Sequence, residues 1–284
     1  MSLTLAKLQQ LKRQAGGAAA LTPTPAIAVP NAHTSIEHLR QLLRVRAPQR
    51  PLIAPHHDRD IPGTQIAPGL FLREEHLADG AVPAQFCGAF DRKDMLASQH
   101  LLCFDTETTG LAGGTGTRAF MIGAADWCDG ALRVRQLTIA TTAAEAAMLD
   151  AFRTWLTPDT ILVSYNGKCF DAPLLATRYR LARRANPLAG LMHVDLLYPS
   201  RRHWRGVYEN CRLATIERQV LRVLREDDLP GSEAPAAWLS YLRGGSAHTL
   251  RRVLAHNHQD VVSLARLLRH LSALGDGLAS ECGQ

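Results

Sequence analysis

The sequence predicts an α/β domain, a mixed sheet flanked by helices, behind a largely irregular N-terminal segment. Three observations carry this expectation. Apolar runs of strand length over 101–106, 118–127 and 132–140 are joined by a Gly-rich turn (Gly110, Gly113, Gly114, Gly116) and by Asp129-Gly130, which is hairpin chemistry. An amphipathic helix pattern over 143–156, a buried-type strand over 160–165 and a second helix over 170–182 then alternate as in α/β units. Late in the chain Leu250, Leu254, Val261, Leu264, Leu268 and Leu271 recur at helical spacing and mark the packed face of a helix over about 250–271.

The individual elements follow from local chemistry. In the first helix Met148, Leu149, Phe152 and Trp155 share a face, and Pro158 stops the pattern. Residues 1–65 read as a flexible or weakly helical segment: 15–35 are rich in Ala, Pro and Thr, and a stretch rich in His, Pro and Arg follows. Two short helical patterns interrupt it, one on Leu3, Leu5, Leu8 and Leu11 and one over 36–43, and either can dock on a protein partner. Residues 66–274 form the α/β domain, and 275–284 a C-terminal tail. A length of 284 residues agrees with one to two domains at roughly 150 residues each.

Composition narrows the function classes. A hydrophobic content of 46% excludes global disorder. Lys plus Arg exceeds Asp plus Glu by 32 − 26 = 6, an excess that permits a polyanionic partner. It is carried by 28 Arg against 4 Lys, and the planar guanidinium suits phosphate; a GC-rich genome would write the same bias. Six cysteines (Cys87, Cys103, Cys128, Cys169, Cys211, Cys282) without a C-x-x-C pair argue against a zinc site and against a disulfide framework. The longest uncharged run, 14–36, is broken by Pro23, Pro25 and Pro30 and does not read as a membrane helix. Residues 1–16 lack the apolar core of a signal peptide, so the protein is expected to be cytoplasmic, with no membrane partner.

Four carboxylates fall in a meaningful order. Asp105 and Glu107 lie two apart in a strand and project from one face. Two carboxylates at the end of a core strand call for positive compensation, usually a divalent cation, although a solvated strand end would give the same pattern. Asp171 closes the run Asn166-Gly167-Lys168-Cys169-Phe170-Asp171 where a strand gives way to a helix; taken alone it reads as an N-terminal cap. Asp260 sits on the edge of the last helix's packed face with His256 one turn before it, while His258 points elsewhere. Alone, His256 is a surface histidine. Together, carboxylates on a first strand, a strand–helix junction and a late helix meet the needs of a two-metal phosphoryl-transfer site.

The Asp105-x-Glu107 strand, the Asn-x-x-x-Phe-Asp run and the final Asp260 resemble the DEDD exonucleases of the ribonuclease H-like superfamily, and more closely its YprB-like branch. The likeness extends over about 66–274, through 104–117, 164–175, 193–204, 210–217, 228–235 and 256–264. It implies a ribonuclease H-like sheet of five to six strands and a 3′–5′ exonuclease that uses two divalent ions, Mg²⁺ or Mn²⁺. Asp105 would bridge both ions, Glu107 and Asp260 would complete the site for the attacking water, and Asp171 would serve the second ion. His256 would orient or deprotonate the water. The pattern departs in one respect: DEDD enzymes carry Tyr four residues before the last Asp or His five before it, whereas here His256 and Ala255 hold those positions.

Around this core, Thr108, Gly110 and Leu111 resemble the segment that meets the 3′-terminal nucleotide of a DNA or RNA strand. Asn166 can hydrogen-bond a phosphate or sugar. Arg201, Arg202 and Arg205 form a basic cluster, with Trp204 beside them as a surface for base stacking. Arg178, Arg180, Arg183 and Arg184 read as a solvated helix face, and Asp195 and Glu217 as acids with structural hydrogen bonds. The Gly-rich turn lacks the Gly-Lys-Ser/Thr ending of an ATP-binding loop and joins two strands, which excludes that reading. The alternative from another class is a ribonuclease H-like module that grips nucleic acid without cutting it.

Overall fold

The computed structural model describes residues 58–110, 115–225 and 229–281, with side chains through Gly275. The N-terminal helical patterns, His56-His57, Leu111, Gly113, Gly114, Asp228 and Cys282 lie outside the described residues.

Two strands that the sequence pattern does not announce come first, β1 (Thr64–Ala67) and β2 (Leu70–Ala78), followed by a small ribbon of β3 (Gln85–Phe86) and β4 (Leu96–Ala97). The expected meander is β5 (Leu101–Thr108), β6 (Ala119–Cys128) and β7 (Ala131–Ile139). Asp129 (φ 51°) and Gly130 (φ 76°) both take the left-handed conformation that a two-residue hairpin requires. Then follow α1 (Glu145–Arg153), β8 (Ile161–Ser164), α2 (Asp171–Leu181) and β9 (Met192–Asp195). Beyond β9 lie α3 (Leu197–Trp204), α4 (Leu213–Ile216), a π-helical turn (Glu217–Leu221), α5 (Ala234–Leu242) and α6 (His248–Glu281).

The main sheet runs β1-β2-β7-β6-β5-β8-β9. Neighbours pair antiparallel from β1 through β2, β7 and β6 to β5; β8 then adds to β5, and β9 to β8, in parallel. The mixed sheet with flanking helices agrees with expectation, but it has seven strands rather than five to six. The extra strand comes from β1–β2. Along β2 the run Arg73-Glu74-Glu75-His76 hides the strand pattern, because β1 covers only Leu70–Leu72 and the rest of that edge is free to carry charge. The last helix reaches Glu281, past the expected end near Leu271 and into the expected tail.

Alternation along β5 sorts the two faces. Leu102 and Phe104 pack with Phe152 of α1 and with Leu175 and Tyr179 of α2, the Phe104 and Phe152 rings 6.3 Å apart. Leu101 and Cys103 pack with Val163, Val194 and, from α6, Val261, Leu264 and Leu268. Arg178 corrects the solvated reading of its cluster. Its guanidinium is buried on Glu145 of α1 (Nε to Oε1 2.5 Å, Nη2 to Oε2 2.6 Å) and donates to the Thr115 carbonyl at 2.9 Å, tying α2 to the turn between β5 and β6.

The register of the parallel pair opens the working crevice. β8 pairs with Leu101, Leu102 and Cys103 only, so Asp105–Thr108 overhang its end. Chain 165–170 turns away there and α2 begins, leaving a cleft outside the carboxyl ends of the parallel strands, the usual place for a ligand in such sheets.

Candidate active site

The cleft has a volume of ≈ 300 Å³ and is lined by Asp105, Thr106, Thr108, Gly110, Thr117, Tyr165, Asn166, Phe170, Asp171 and Leu174. Of the residues expected at the site, it gathers Asp105, Asp171, Thr108, Gly110 and Asn166. Glu107 is buried beyond Asp105 on the same face of β5, and Asp260 approaches Asp105 from α6.

Each carboxylate meets a different protein donor. Asn257 of α6 donates from Nδ2 to Asp105 Oδ2 at 3.0 Å, the Thr106 hydroxyl donates to Asp171 Oδ1, and Arg225 donates from Nη2 to Asp260 Oδ1. Asp171 is the first residue of α2, and its carboxylate turns across to the Thr106 hydroxyl of β5. Burial pushes the Asp171 carboxyl up to about 6, with the Thr106 hydroxyl bond opposing the rise. Asp105 is pushed well above the usual carboxylate range, first by burial and then by the charges of Asp260, Asp171 and Glu107. Burial also raises Asp260, while Arg225 and His256 hold it down.

Asn257 reaches Asp105 because β6 offers it a gap. Gly123 faces Asp105 across the β5–β6 pair, and a Cβ there would stand 2.1 Å from Asn257 Oδ1. That oxygen accepts from Gln136 Nε2 of β7 at 3.0 Å, and the same nitrogen donates to the Leu254 carbonyl at 2.8 Å. A buried polar chain thus runs from β7 through α6 to Asp105, with Gln136 Oε1 the atom in it that has no partner among the described residues. Sequence reasoning missed this chain. The one legible signal was Asn257 itself, a polar residue in the stripe of Leu250, Leu254, Val261 and Leu264.

The turn that carries Asn166 is held by Asp195, as its structural reading anticipated. The buried Asp195 carboxylate accepts from the backbone N–H groups of Asn166 (2.7 Å), Lys168 (3.1 Å) and Leu197 (3.1 Å). These bonds stabilise Asn166 at φ 68°, a left-handed conformation that asparagine tolerates. Beneath the turn, the Ser164 hydroxyl meets His193 Nε2 at 2.8 Å, and burial lowers the His193 imidazole to about 4, keeping it neutral.

On α6, His256 Nε2 lies 3.5 Å from Asp260 Oδ2, one turn away as expected, while His258 faces Glu75 at 3.3 Å. Arg225 was not anticipated. It makes two bonds to the buried Glu217 (Nε to Oε2 2.7 Å, Nη2 to Oε1 2.6 Å), one to Asp260, and one from Nη1 to His256 Nδ1 at 3.0 Å. No local pattern marks it, since its partners are 8, 31 and 35 residues away.

The basic cluster divides. Arg201 and Arg205 are exposed and line a groove of ≈ 410 Å³ with Tyr208, Asn210 and Arg212. The groove adjoins the cleft through Tyr165, which lines the cleft and donates from its hydroxyl to the Cys211 carbonyl at 2.6 Å. Arg202 donates to the Phe90 carbonyl. Trp204, expected to offer a stacking surface, turns inward instead. It is buried near His270 of α6 (ring centroids 6.0 Å), because α3 packs this face on the core. Phe170, 55% exposed at the lip of the cleft, offers an exposed aromatic surface there.

The donor set suits hard divalent cations: carboxylate oxygens whose mutual repulsion and burial disfavour their charge until a cation is near. As placed, no group of three His, Cys, Asp or Glu among the described residues is close enough to hold an ion; each carboxylate is turned to its own protein donor. None of the described helices is long and apolar enough to cross a membrane.

The family match agrees with this architecture. The model of a family described as RNase_H superfamily matches residues 102–272. The chain is 37% identical to protein YprB of Bacillus subtilis over 174 residues, which cover 61% of this chain and 42% of YprB; it therefore spans about two fifths of that relative. Among solved structures, the family B DNA polymerase of Pyrobaculum calidifontis aligns with TM-score 0.48 and 14% identity over 72% of this chain and 29% of the polymerase. The Nibbler EXO domain of Aedes aegypti aligns with TM-score 0.41 and 16% identity over 63% of this chain and 86% of that domain.

Proposed function

The chain belongs to the ribonuclease H superfamily, and from that premise we propose that it is a metal-dependent 3′–5′ exonuclease that hydrolyses phosphodiester bonds of nucleic acid. The observation that supports this reading is the convergence of Asp105 of β5, Asp171 of α2 and Asp260 of α6 beside one open cleft. Asp105, Glu107, Asp171 and Asp260 would hold two Mg²⁺ or Mn²⁺ ions. Such ions, when bound, make water a nucleophile at neutral pH and stabilise the leaving 3′ oxygen.

The chain's own residues do the rest. Asn257 holds Asp105, and Thr106 holds Asp171, while no ion is bound, so each carboxylate has a defined hydrogen-bond partner from which it would meet the ion. Thr108 and Gly110 shape the floor for the terminal nucleotide; the Thr108 hydroxyl donates to the Gly110 carbonyl at 2.9 Å. Asn166 reaches the strand's phosphate or sugar from the turn that Asp195 holds, and Phe170 takes the stacking part expected of Trp204. Arg201 and Arg205 carry the phosphates further back along the strand through the groove that Tyr165 joins to the cleft. His256 accepts the water's proton once a ring nitrogen has a lone pair to offer.

Incubation of the full chain with 5′-labelled single-stranded DNA and RNA tests the reading. With Mn²⁺ the expected product is a ladder that shortens from the 3′ end, and EDTA abolishes it. An intact oligonucleotide with a metal-independent gel shift contradicts the proposal and favours a binding module.

A further inference from the structure

Among the described residues, Arg225 is a cation seated among the acids of the site. Its guanidinium bonds Asp260, the carboxylate that α6 supplies, and it rests on Glu217, which is only 1% exposed. The bond to His256 has a chemical consequence. A guanidinium donates and never accepts, so His256 Nδ1 must be the acceptor, and in a neutral imidazole the proton then sits on Nε2, the atom nearest Asp260. While Arg225 stays, its Nη1 occupies the Nδ1 lone pair of His256.

We propose that Arg225 is a tethered cation that competes with the divalent ion for Asp260, so that metal loading displaces it and in the same movement frees Nδ1 of His256. The inference rests on the metal-dependent reading above. Two features make the displacement feasible. A guanidinium and a divalent ion satisfy the same carboxylate lone pairs, and one carboxylate oxygen facing both has to choose. Arg225 also keeps two bonds to Glu217 when it gives up Asp260 and His256, so no buried charge is stranded. Glu217 thus acts as a resting partner for the arginine, and both are positioning residues.

Isothermal titration of the substrate-free full chain with Mn²⁺ tests this. Arg225→Gln is expected to tighten Mn²⁺ binding by roughly tenfold or more, the worth of a charge-assisted hydrogen bond. The single variant leaves Glu217 buried without its counter-charge and available to the ion itself. The double variant R225Q/E217Q removes both complications and is expected to show the same tightening. Mn²⁺ binding in all proteins with affinity unchanged or weaker in both variants overturns the competition and leaves the metal-dependent reading standing. No Mn²⁺ binding in wild type or in either variant overturns both together.

Discussion

On the proposed metal-dependent mechanism, Asp105→Asn is expected to lower nuclease turnover by roughly 10³-fold or more, since removing a metal-holding carboxylate would forfeit about 4 kcal/mol of charge stabilisation. The same variant is expected to melt at a higher temperature than wild type when both are metal-free. Folding raises the Asp105 carboxyl above its ordinary value of 3.8, so the folded state binds that proton more tightly than the unfolded state does. Ionised Asp105 is therefore a cost at neutral pH, and asparagine removes it while keeping an oxygen for Asn257 Nδ2. The advantage is full above the folded pKa and vanishes as pH falls to the unfolded value. Melting curves in EDTA across that range check the sign. An unchanged cleavage rate would take Asp105 out of the chemistry.

Gly123→Ala is expected to cost about 1–3 kcal/mol and to lower activity by roughly 10–100-fold, although residue 123 touches no substrate. The new methyl would lie 2.1 Å from Asn257 Oδ1 and 2.8 Å from its Cγ, in a strand whose neighbours hold it in register. Either α6 moves out or Asn257 rotates away, and both break the bond to Asp105. The double variant G123A/N257A separates the two effects. It relieves the clash, so the melting temperature should recover toward wild type, but Asp105 still lacks its donor and activity should stay low. Full recovery of activity in the double variant would show that the Asn257 bond has no part in positioning Asp105.

What was legible in the sequence was whatever the backbone's own period fixes. Residues two apart in β5 share a face, and residues four apart in α6 stack, so Asp105 with Glu107 and His256 with Asp260 were readable before any tertiary contact was known. The strand–helix junction placed Asp171 at the correct edge of the sheet, though not its partner: Thr106, one residue along from Asp105, crosses to it because alternate residues of β5 serve opposite faces. Trp204 went astray for the reason that one turn of a short amphipathic helix near Arg202 and Arg205 does not say which face is inward; His270 on α6 decides it. Arg225 was illegible altogether. Its place depends on a π-helical turn, a left-handed Arg222 (φ 58°) and partners that include Glu217 and, from α6, His256 and Asp260, none of which leaves a periodic trace. The features beyond reach of the sequence are thus the ones that position or restrain the carboxylates.

The most direct test of the central claim is anomalous diffraction from crystals of the full chain equilibrated with Mn²⁺. Manganese peaks are predicted between Asp105 and its neighbours Glu107, Asp171 and Asp260, with Arg225 drawn back onto Glu217. Manganese bound elsewhere on the protein, with no peak beside Asp105, would contradict the account.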